Sequence, residues 1–268
     1  MKNAILTCIE SLNMNLSVVI LVSKDDAEGT EKTLKSIGGL NAEIILYDTT
    51  DTDFAEQASR NYNAKLYKGK WEGYDRVRYN AAARAAYDWV LMLHTGEELD
   101  EELKSSIRQL ELKEPAKAYR IRFRNFYKNK WLRHGEWGKE FHIRLANKRS
   151  IRFERQQINE NLFYRQNIPV ENLHGFISHT IYSDSGQLSV RFKKDALFLA
   201  AKYHLQGKKS GVFKMLFSPV CAFLKNYLFK LGILDGGPGY LLSRMHAWHN
   251  FLKYARLRKL NKMLRTPL

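Results

Sequence analysis

The feature that most constrains the fold is a series of short apolar segments in the first hundred residues. Leu16 to Val22 (LSVVILV) is an apolar run rich in β-branched residues, a pattern typical of a strand buried on both faces. Glu43 to Tyr47 and Trp89 to Leu93 repeat this pattern, and Lys65 to Tyr67 is a shorter candidate strand. Strands of this kind require a sheet that is covered on both sides.

Segments with helical character separate these strands. They are Glu28 to Ile37, Phe54 to Tyr62 and the alanine-rich Arg76 to Ala86, and an acidic helix start follows from Leu99 to Leu103. Strand and helix in alternation predict an α/β fold whose strands are parallel and joined by right-handed crossovers. Neither of the first two strands is followed by GxGxxG, so a dinucleotide-binding Rossmann domain is poorly supported.

Charge narrows the possible partners. The 268 residues carry a formal charge of +16, and because acidic residues are concentrated in the first half, nearly all of the net positive charge lies in the second. Nucleic acid, an anionic membrane leaflet or a phosphorylated substrate would complement it. Nucleic acid ranks last because the sequence has neither a zinc-finger nor an RNP motif.

Cys8 and Cys221 form no zinc or disulfide spacing, which suits a reducing compartment, and no signal peptide is evident.

Polar side chains follow three of the predicted strands. Asp26 comes after the first strand, Asp48 begins the DTTDTD loop after the second, and His94, Thr95 and Glu97 follow Leu93. In open α/β sheets, ligands collect at the carboxyl ends of the strands. The alternatives are ordinary: Thr95-Gly96 is a turn signal, and Asp26 and Asp48 could cap helices or turns.

The C-terminal region contains two apolar stripes at helical spacing. The first extends from Phe213 to Leu231, with Pro219 expected to kink or split it, and the second from Tyr240 to Leu260. Lysine and proline interruptions argue against a spanning helix in Val212 to Leu234. Apolar stripes with aromatic and flanking basic residues are typical of helices in a membrane interface. Packing on the first domain or on a second subunit is the alternative.

Several motifs, in order, give the chain a family resemblance. The first is an opening strand followed by a Thr-Lys-Asn-Glu loop, which VVILVSKDD resembles. The second is an Asp-Ser-Gly-Ser-Thr-Asp loop, which YDTTDTD resembles. The third is a Trp-x-Gly-Phe…Arg-Asn-x-Ala…Asp-Trp-Val-Leu run, which is similar to WEGYDRVRYNAAARAAYDWVLML. The likeness continues through the segments RNFYKNKWLRHGEWGKEFHIRLANKRSIRF and INENL and through the C-terminal helices. It covers about Asn15 to Leu260. The order and spacing are similar to those of family-2 glycosyltransferases of the GT-A fold, in the branch that builds lipopolysaccharide core and related surface glycans.

The resemblance implies a nucleotide-sugar-binding, Rossmann-like mixed sheet over residues 1–190 and a basic helical appendage over 191–268. The implied enzyme is an inverting, nucleotide-sugar-dependent glycosyltransferase acting on a lipid-linked glycan. It would lie in the cytoplasm, peripheral on the inner face of the membrane. The residues implied to bind the nucleotide sugar are Asp26, Asp48, Arg78, Asn80, Thr95 and Arg144. Arg78 could equally belong to a solvated helix face.

The resemblance also implies the catalytic base. Glu160 occupies the glutamate position of the family's His-Glu pair, with Asn159 in place of the histidine. A carboxylate there would accept the proton of the attacking sugar hydroxyl. Glu140 stands at the aspartate position of the Trp-x-x-Asp segment and is a second candidate for base or acceptor contact.

One departure concerns the metal. The family usually has Asp-Ala-Asp-Glu, which holds Mg²⁺ or Mn²⁺ on the donor diphosphate, where this chain has His94-Thr95-Gly96-Glu97. One interpretation keeps a metal on Glu97 and His94, with His179 as a further ligand or a structural histidine. Another gives the diphosphate to Arg144 and nearby cations. A third is a decayed site, which leaves a catalytically inactive scaffold that binds glycan or membrane.

Overall fold

The computed structural model describes residues 14–23, 26–114, 116–150, 168–182 and 185–263. The strands are β1 (Leu16–Val22), β2 (Glu43–Asp48), β3 (Lys65–Lys68), β4 (Trp89–His94), β5 (Glu97–Leu99), β6 (Ala118–Tyr127), β7 (Lys130–Trp131), β8 (Phe141–Asn147) and β9 (Val170–Tyr182). The helices are α1 (Ala27–Ser36), α2 (Asp53–Asn61), α3 (Tyr74–Ala83), α4 (Glu101–Arg108), α5 (Ser185–Leu205), α6 (Val212–Leu224) and α7 (Gly237–Met263). Contacts divide the chain into unit 1 (the described residues of 14–123 and 141–179) and unit 2 (those of 124–140 and 180–263).

The first half of the sheet is parallel, as the alternation of strand and helix predicts. β1 lies between β2 and β4, and β3 pairs with the far side of β2, all in parallel. Val22 is in register with Asp48, and Leu21 with His94. The carboxyl ends of β1, β2 and β4 therefore meet at one edge of the sheet.

The later strands make the sheet mixed. β8 pairs antiparallel with β4 and with β6, and β5 pairs antiparallel with β9. The strand order is β3-β2-β1-β4-β8-β6-β9-β5, with β7 attached to β6. The predicted class, an α/β fold with a mixed sheet and a helical C-terminal region, is confirmed.

The core of unit 1 lies on both faces of this sheet. Every residue of β1 is buried, because successive side chains point to opposite faces and both faces are covered. Leu34 of α1 and Ile107 of α4 pack with one set of strand side chains, and Val77 of α3 packs with the other. Burial on both sides explains why the strands are apolar runs rather than alternating patterns.

Several helix boundaries differ from the predictions, and two of these differences lie beside a strand. The acidic helix begins at Glu101 rather than Leu99, because Glu97–Leu99 is strand β5 and the Asp100 carboxylate caps the helix by accepting a hydrogen bond from the Leu103 N–H. The alanine-rich helix ends at Ala83, before Ala86. Both predictions extended a helix into residues that belong to a strand or lead into one.

Unit 2 is built from α5, α6, α7 and the β6–β7 hairpin. Its core contains Tyr127, Leu132, Leu188, Phe192 and Met245. Backbone N–H groups of Arg133 and His134 donate to the Asp235 carboxylate. Residues 124–140 therefore belong to the helical unit, which resumes after residue 179.

The first apolar stripe is one helix that continues past its proline. Pro219 lies inside α6, and a π-helical turn, Lys225–Phe229, follows without a break. The predicted splitting at Pro219 is wrong, because proline removes one donor while the other helical hydrogen bonds remain. Among the described residues, Val212–Phe229 is the one helical segment with the length and composition to cross a bilayer.

Candidate functional site

The candidate site lies at the carboxyl edge of the parallel strands in unit 1. The register places Asp48 and His94 on either side of the end of β1, about 10 Å apart at the sheet spacing of roughly 4.8 Å per strand. Asp26 follows β1 and begins α1. The fold thus gathers the polar residues of three strand ends, as the sequence predicts.

Asp48 is the buried carboxylate of this edge. It is 1% exposed, and its Oδ1 accepts hydrogen bonds from the N–H of Thr50 at 2.8 Å and from the Thr50 hydroxyl at 2.6 Å. Its Oδ2 is buried without a hydrogen-bond partner among the described residues. A buried acceptor left unpaired costs about 1–3 kcal/mol, so a ligand N–H or O–H would be stabilised here.

Asp26 caps α1. Its Oδ1 accepts a hydrogen bond from the Gly29 N–H at 2.8 Å, and its backbone carbonyl accepts one from the Thr30 hydroxyl at 2.9 Å. The capping role considered from the sequence is therefore present. Capping uses one carboxylate oxygen, so it does not by itself decide whether the other meets a ligand.

The Thr95-Gly96 turn is fixed to α1. The Gly96 N–H donates to the Thr33 hydroxyl at 3.0 Å, and the Thr95 hydroxyl, which is buried, donates to the Leu21 carbonyl at 3.3 Å. Gly96 has φ +83°, a conformation that favours glycine. Apart from Gly96 and its chain neighbours, no atom of the described residues lies within 4 Å of the position of a Cβ there. Thr95 thus serves the fold directly, and open space lies above Gly96.

A buried ionic cluster stands behind the end of β4. Arg144 of β8, 0% exposed, donates from Nη2 to Glu97 Oε1 at 2.6 Å. His94 Nε2 lies 3.5 Å from Arg144 Nη1 and 3.4 Å from Arg78 Nη2. Arg78 is 2% exposed, so the solvated helix face considered for it is wrong. We call these four residues the His94 cluster.

The implied divalent cation does not fit this donor set. Glu97 Oε1 is paired with Arg144, and its Oε2 accepts the His94 N–H at 2.9 Å. A metal ligand needs a free oxygen or nitrogen lone pair, and two guanidinium cations already face the His94 ring. Within the part of the chain that the structure describes, no group of three or more His, Cys, Asp or Glu side chains could hold an ion.

The remaining predicted residues of unit 1 are placed as follows. His179 of β9 is in register with Glu97 of β5, so the two side chains share a face of the sheet. Asn80 lies on α3, two residues after Arg78, and is half-buried. The fold thus brings His179 beside the His94 cluster.

The two candidate bases are not among these residues. Glu140 belongs to unit 2, where its Oε2 accepts a hydrogen bond from Nδ2 of the buried Asn125. Glu160 lies outside the described residues. Both assignments remain predictions.

Sequence reasoning missed several roles. Thr30 and Thr33 fix the Thr95-Gly96 turn, but threonines on a short helix give no such signal. In unit 2, the Asp235 carboxylate lies 2.9 Å from Nδ1 of His134. An aspartate before a Gly-Gly-Pro-Gly segment could have drawn attention, although nothing local links it to His134.

Comparison with known proteins identifies relatives along most of the chain. An uncharacterized glycosyltransferase of Rickettsia typhi is 22% identical over 251 residues, covering 90% of this chain and 86% of the relative. One from Rickettsia bellii is also 22% identical, over 262 residues, covering 94% and 89%. No protein-family model matches the chain. The crystal structure of S. aureus TarS 1-349 is similar at 13% identity with a TM-score of 0.44, covering 94% of this chain and 91% of TarS 1-349.

Proposed function

We propose that this protein is a glycosyltransferase that moves a sugar from a nucleotide-sugar donor. The observation that carries the proposal is the buried, partly unpaired Asp48 carboxylate at the carboxyl edge of a parallel half-sheet. That edge is where α/β folds bind their ligands. Similarity to glycosyltransferases over nine-tenths of the chain supports the same activity.

The donor would lie along the edge between Asp48 and His94. Asp48 Oδ2 accepts a hydrogen bond from the base or ribose, and the open space at Gly96 receives the diphosphate end. Asp26, Asn80 and Thr95 are further candidates for contacts with the nucleotide sugar, and these assignments rest on the resemblance. The sheet thus supplies a hydrogen-bond acceptor, Asp48, for the nucleoside. At its other end, the guanidiniums of Arg78 and Arg144 beside His94 supply positive charge for the phosphates.

The reaction we propose is an inverting transfer. A carboxylate takes the proton of the acceptor hydroxyl while the oxygen attacks the anomeric carbon, and the nucleoside diphosphate leaves with the bonding electrons. Glu160 is the proposed base, with Glu140 as the second candidate. Both assignments rest on the resemblance.

The proposed acceptor is a lipid-linked surface glycan reached from an anionic membrane surface. Phe213, Leu216, Phe217 and Val220 of α6 are all exposed, and 6% of the Val212–Phe229 segment is buried in the protein. Residues 196–268 contain thirteen Lys and Arg but one carboxylate, Asp235. An apolar face within so cationic a region complements anionic lipid, so we propose that α6 lies in the interface at the cytoplasmic face.

The test is nucleotide release from UDP-glucose, UDP-N-acetylglucosamine, GDP-mannose and dTDP-rhamnose. We expect slow release from one of them with the wild-type protein and at least about a hundredfold less with Glu160→Gln, because base catalysis contributes at least this much. Glu140→Gln is the matched variant. If it loses the activity while Glu160→Gln retains it, the base is Glu140. Binding of a donor without any release would instead favour the scaffold.

A further inference from the structure

The charge of the His94 cluster is the reverse of what a metal-binding motif requires. Two guanidiniums and one carboxylate surround the His94 ring in its described contacts. Building on the function proposed above, we propose that the donor diphosphate binds at His94 without a divalent cation. The positive charge of Arg78 and Arg144 takes the place of the metal.

Glu97 is already committed to the fold. It is 1% exposed, and its two oxygens accept from Arg144 and from the His94 backbone. Removing one partner of a buried ion pair leaves an uncompensated charge, which is strongly unfavourable. A metal would therefore compete with Arg144 for the only carboxylate of the motif.

The guanidiniums also determine the tautomer of His94. Arginine nitrogens only donate, so Nε2, which faces Arg78 and Arg144, is the acceptor and Nδ1 carries the proton. Nδ1 lies 3.6 Å from Glu97 Oε1, the carboxylate on its other side. The Nε2 lone pair that a metal would need is directed at two cations.

The cluster nevertheless reaches the surface. The His94 side chain is 17% exposed, whereas Arg78 and Arg144 are buried behind it. Buried charges are screened little by salt or water, so they act on a neighbouring anion more strongly than surface lysines do. His94 and the open space at Gly96 therefore form an anion-receiving end of the site.

The experiment is calorimetric titration with UDP, GDP, ADP, CDP and dTDP, each in EDTA and in Mn²⁺. We expect the preferred nucleotide to bind equally in both, and its monophosphate to bind about tenfold more weakly. Binding that appears only with Mn²⁺ would overturn this proposal and leave the glycosyltransferase function intact. Failure of all five nucleotides to bind in either condition would overturn both.

His94→Asp separates the two mechanisms by the sign of its effect. In a metal-free site the added carboxylate repels the diphosphate and neutralises the guanidiniums, so affinity falls about tenfold or more and Mn²⁺ does not restore it. In a metal site the same substitution adds a hard oxygen ligand, and affinity in Mn²⁺ rises. His174→Asp, at an exposed position of β9, is the matched control and should change neither value.

Discussion

At the scale of single residues, the site depends on polar groups that the fold buries at strand ends. Asp48 is almost fully buried, yet one of its oxygens has no hydrogen-bond partner among the described residues. The other oxygen is fixed by Thr50. A side chain held in one orientation with a buried lone pair is organised for a donor group on a ligand.

Asp48→Asn should weaken UDP binding, if UDP is the preferred nucleotide, by about tenfold to a hundredfold. The asparagine oxygen would keep the two hydrogen bonds from Thr50, which places the amide NH₂ where Oδ2 now lies. The amide N–H of the asparagine would then face an N–H or O–H of the ligand, and no hydrogen bond could form between the two groups. Calorimetry measures the change.

Asp51→Asn is the matched control for this prediction. Asp51 lies in the same loop but is exposed and paired with Lys68, so its substitution should leave the affinity as it is. An Asp48→Asn protein that binds the nucleotide as tightly as the wild type would remove Asp48 from the donor site.

At the scale of elements, α6 leaves much of its apolar surface exposed within the described protein. Phe213 is 72% exposed and stacks on Phe217, with ring centroids 4.0 Å apart. The helices α5 and α7 have apolar residues in the core of unit 2, whereas no residue of α6 is buried. Exposed apolar surface of this extent marks an interaction site.

Phe213→Glu/Phe217→Glu should reduce cosedimentation with phosphatidylglycerol-containing vesicles by at least about tenfold. Burying a phenylalanine contributes roughly 1.5–3 kcal/mol, and each glutamate adds repulsion from anionic lipid. Binding of the wild-type protein should also weaken as salt rises.

Val190→Glu/Leu197→Glu is the control, because it places the same two charges at exposed positions of α5. Equal losses in both double variants would show that charge alone matters and that α6 does not insert. Sedimentation of the α6 variant at the wild-type level would contradict the membrane proposal.

At the scale of the whole molecule, the helical unit includes histidines that must remain neutral. Burial lowers the pKa of His246 to about 4, although Glu136 opposes the shift. Its Nε2 is buried without a hydrogen-bond partner among the described residues, and its ring packs edge-on against Phe192. Burial also lowers the pKa of His249 to about 4. Protonation of either ring favours the unfolded chain.

Stability should therefore fall as the pH is lowered from about 6.5 to 4. The unfolded His246 binds its proton near pH 6.5 and the folded residue only near pH 4, so the unfolded state holds more protons in this window. His246 alone should account for about 2 kcal/mol of the loss.

The measurement is thermal unfolding of the wild type and of His246→Phe between pH 4 and 7. The phenylalanine fits among the aromatic neighbours, so the difference in Tm between the two proteins should shift in favour of the variant as the pH falls. A constant difference across this range would show that the histidine does not titrate on unfolding.

The first hundred residues could be interpreted from the sequence because their signals are local. Continuous apolar runs identify β1, β2 and β4, and each is followed within a few residues by Asp26, Asp48 or His94. Strand period, helix period and the polar residue after a strand are all encoded within a short window. These patterns sufficed for the α/β class and for the edge where the candidate site lies.

The identity of the groups around His94 was decided only by tertiary structure. Arg144 is fifty residues further along the chain and reaches Glu97 because β8 pairs antiparallel with β4, and Arg78 reaches the ring from α3. The resemblance names both as donor-binding candidates, but nothing in the local sequence indicates that they are buried or that they meet at His94. Their burial comes from long-range packing, which fixes their charges beside the Glu97 carboxylate and makes the end of β4 a cationic cluster.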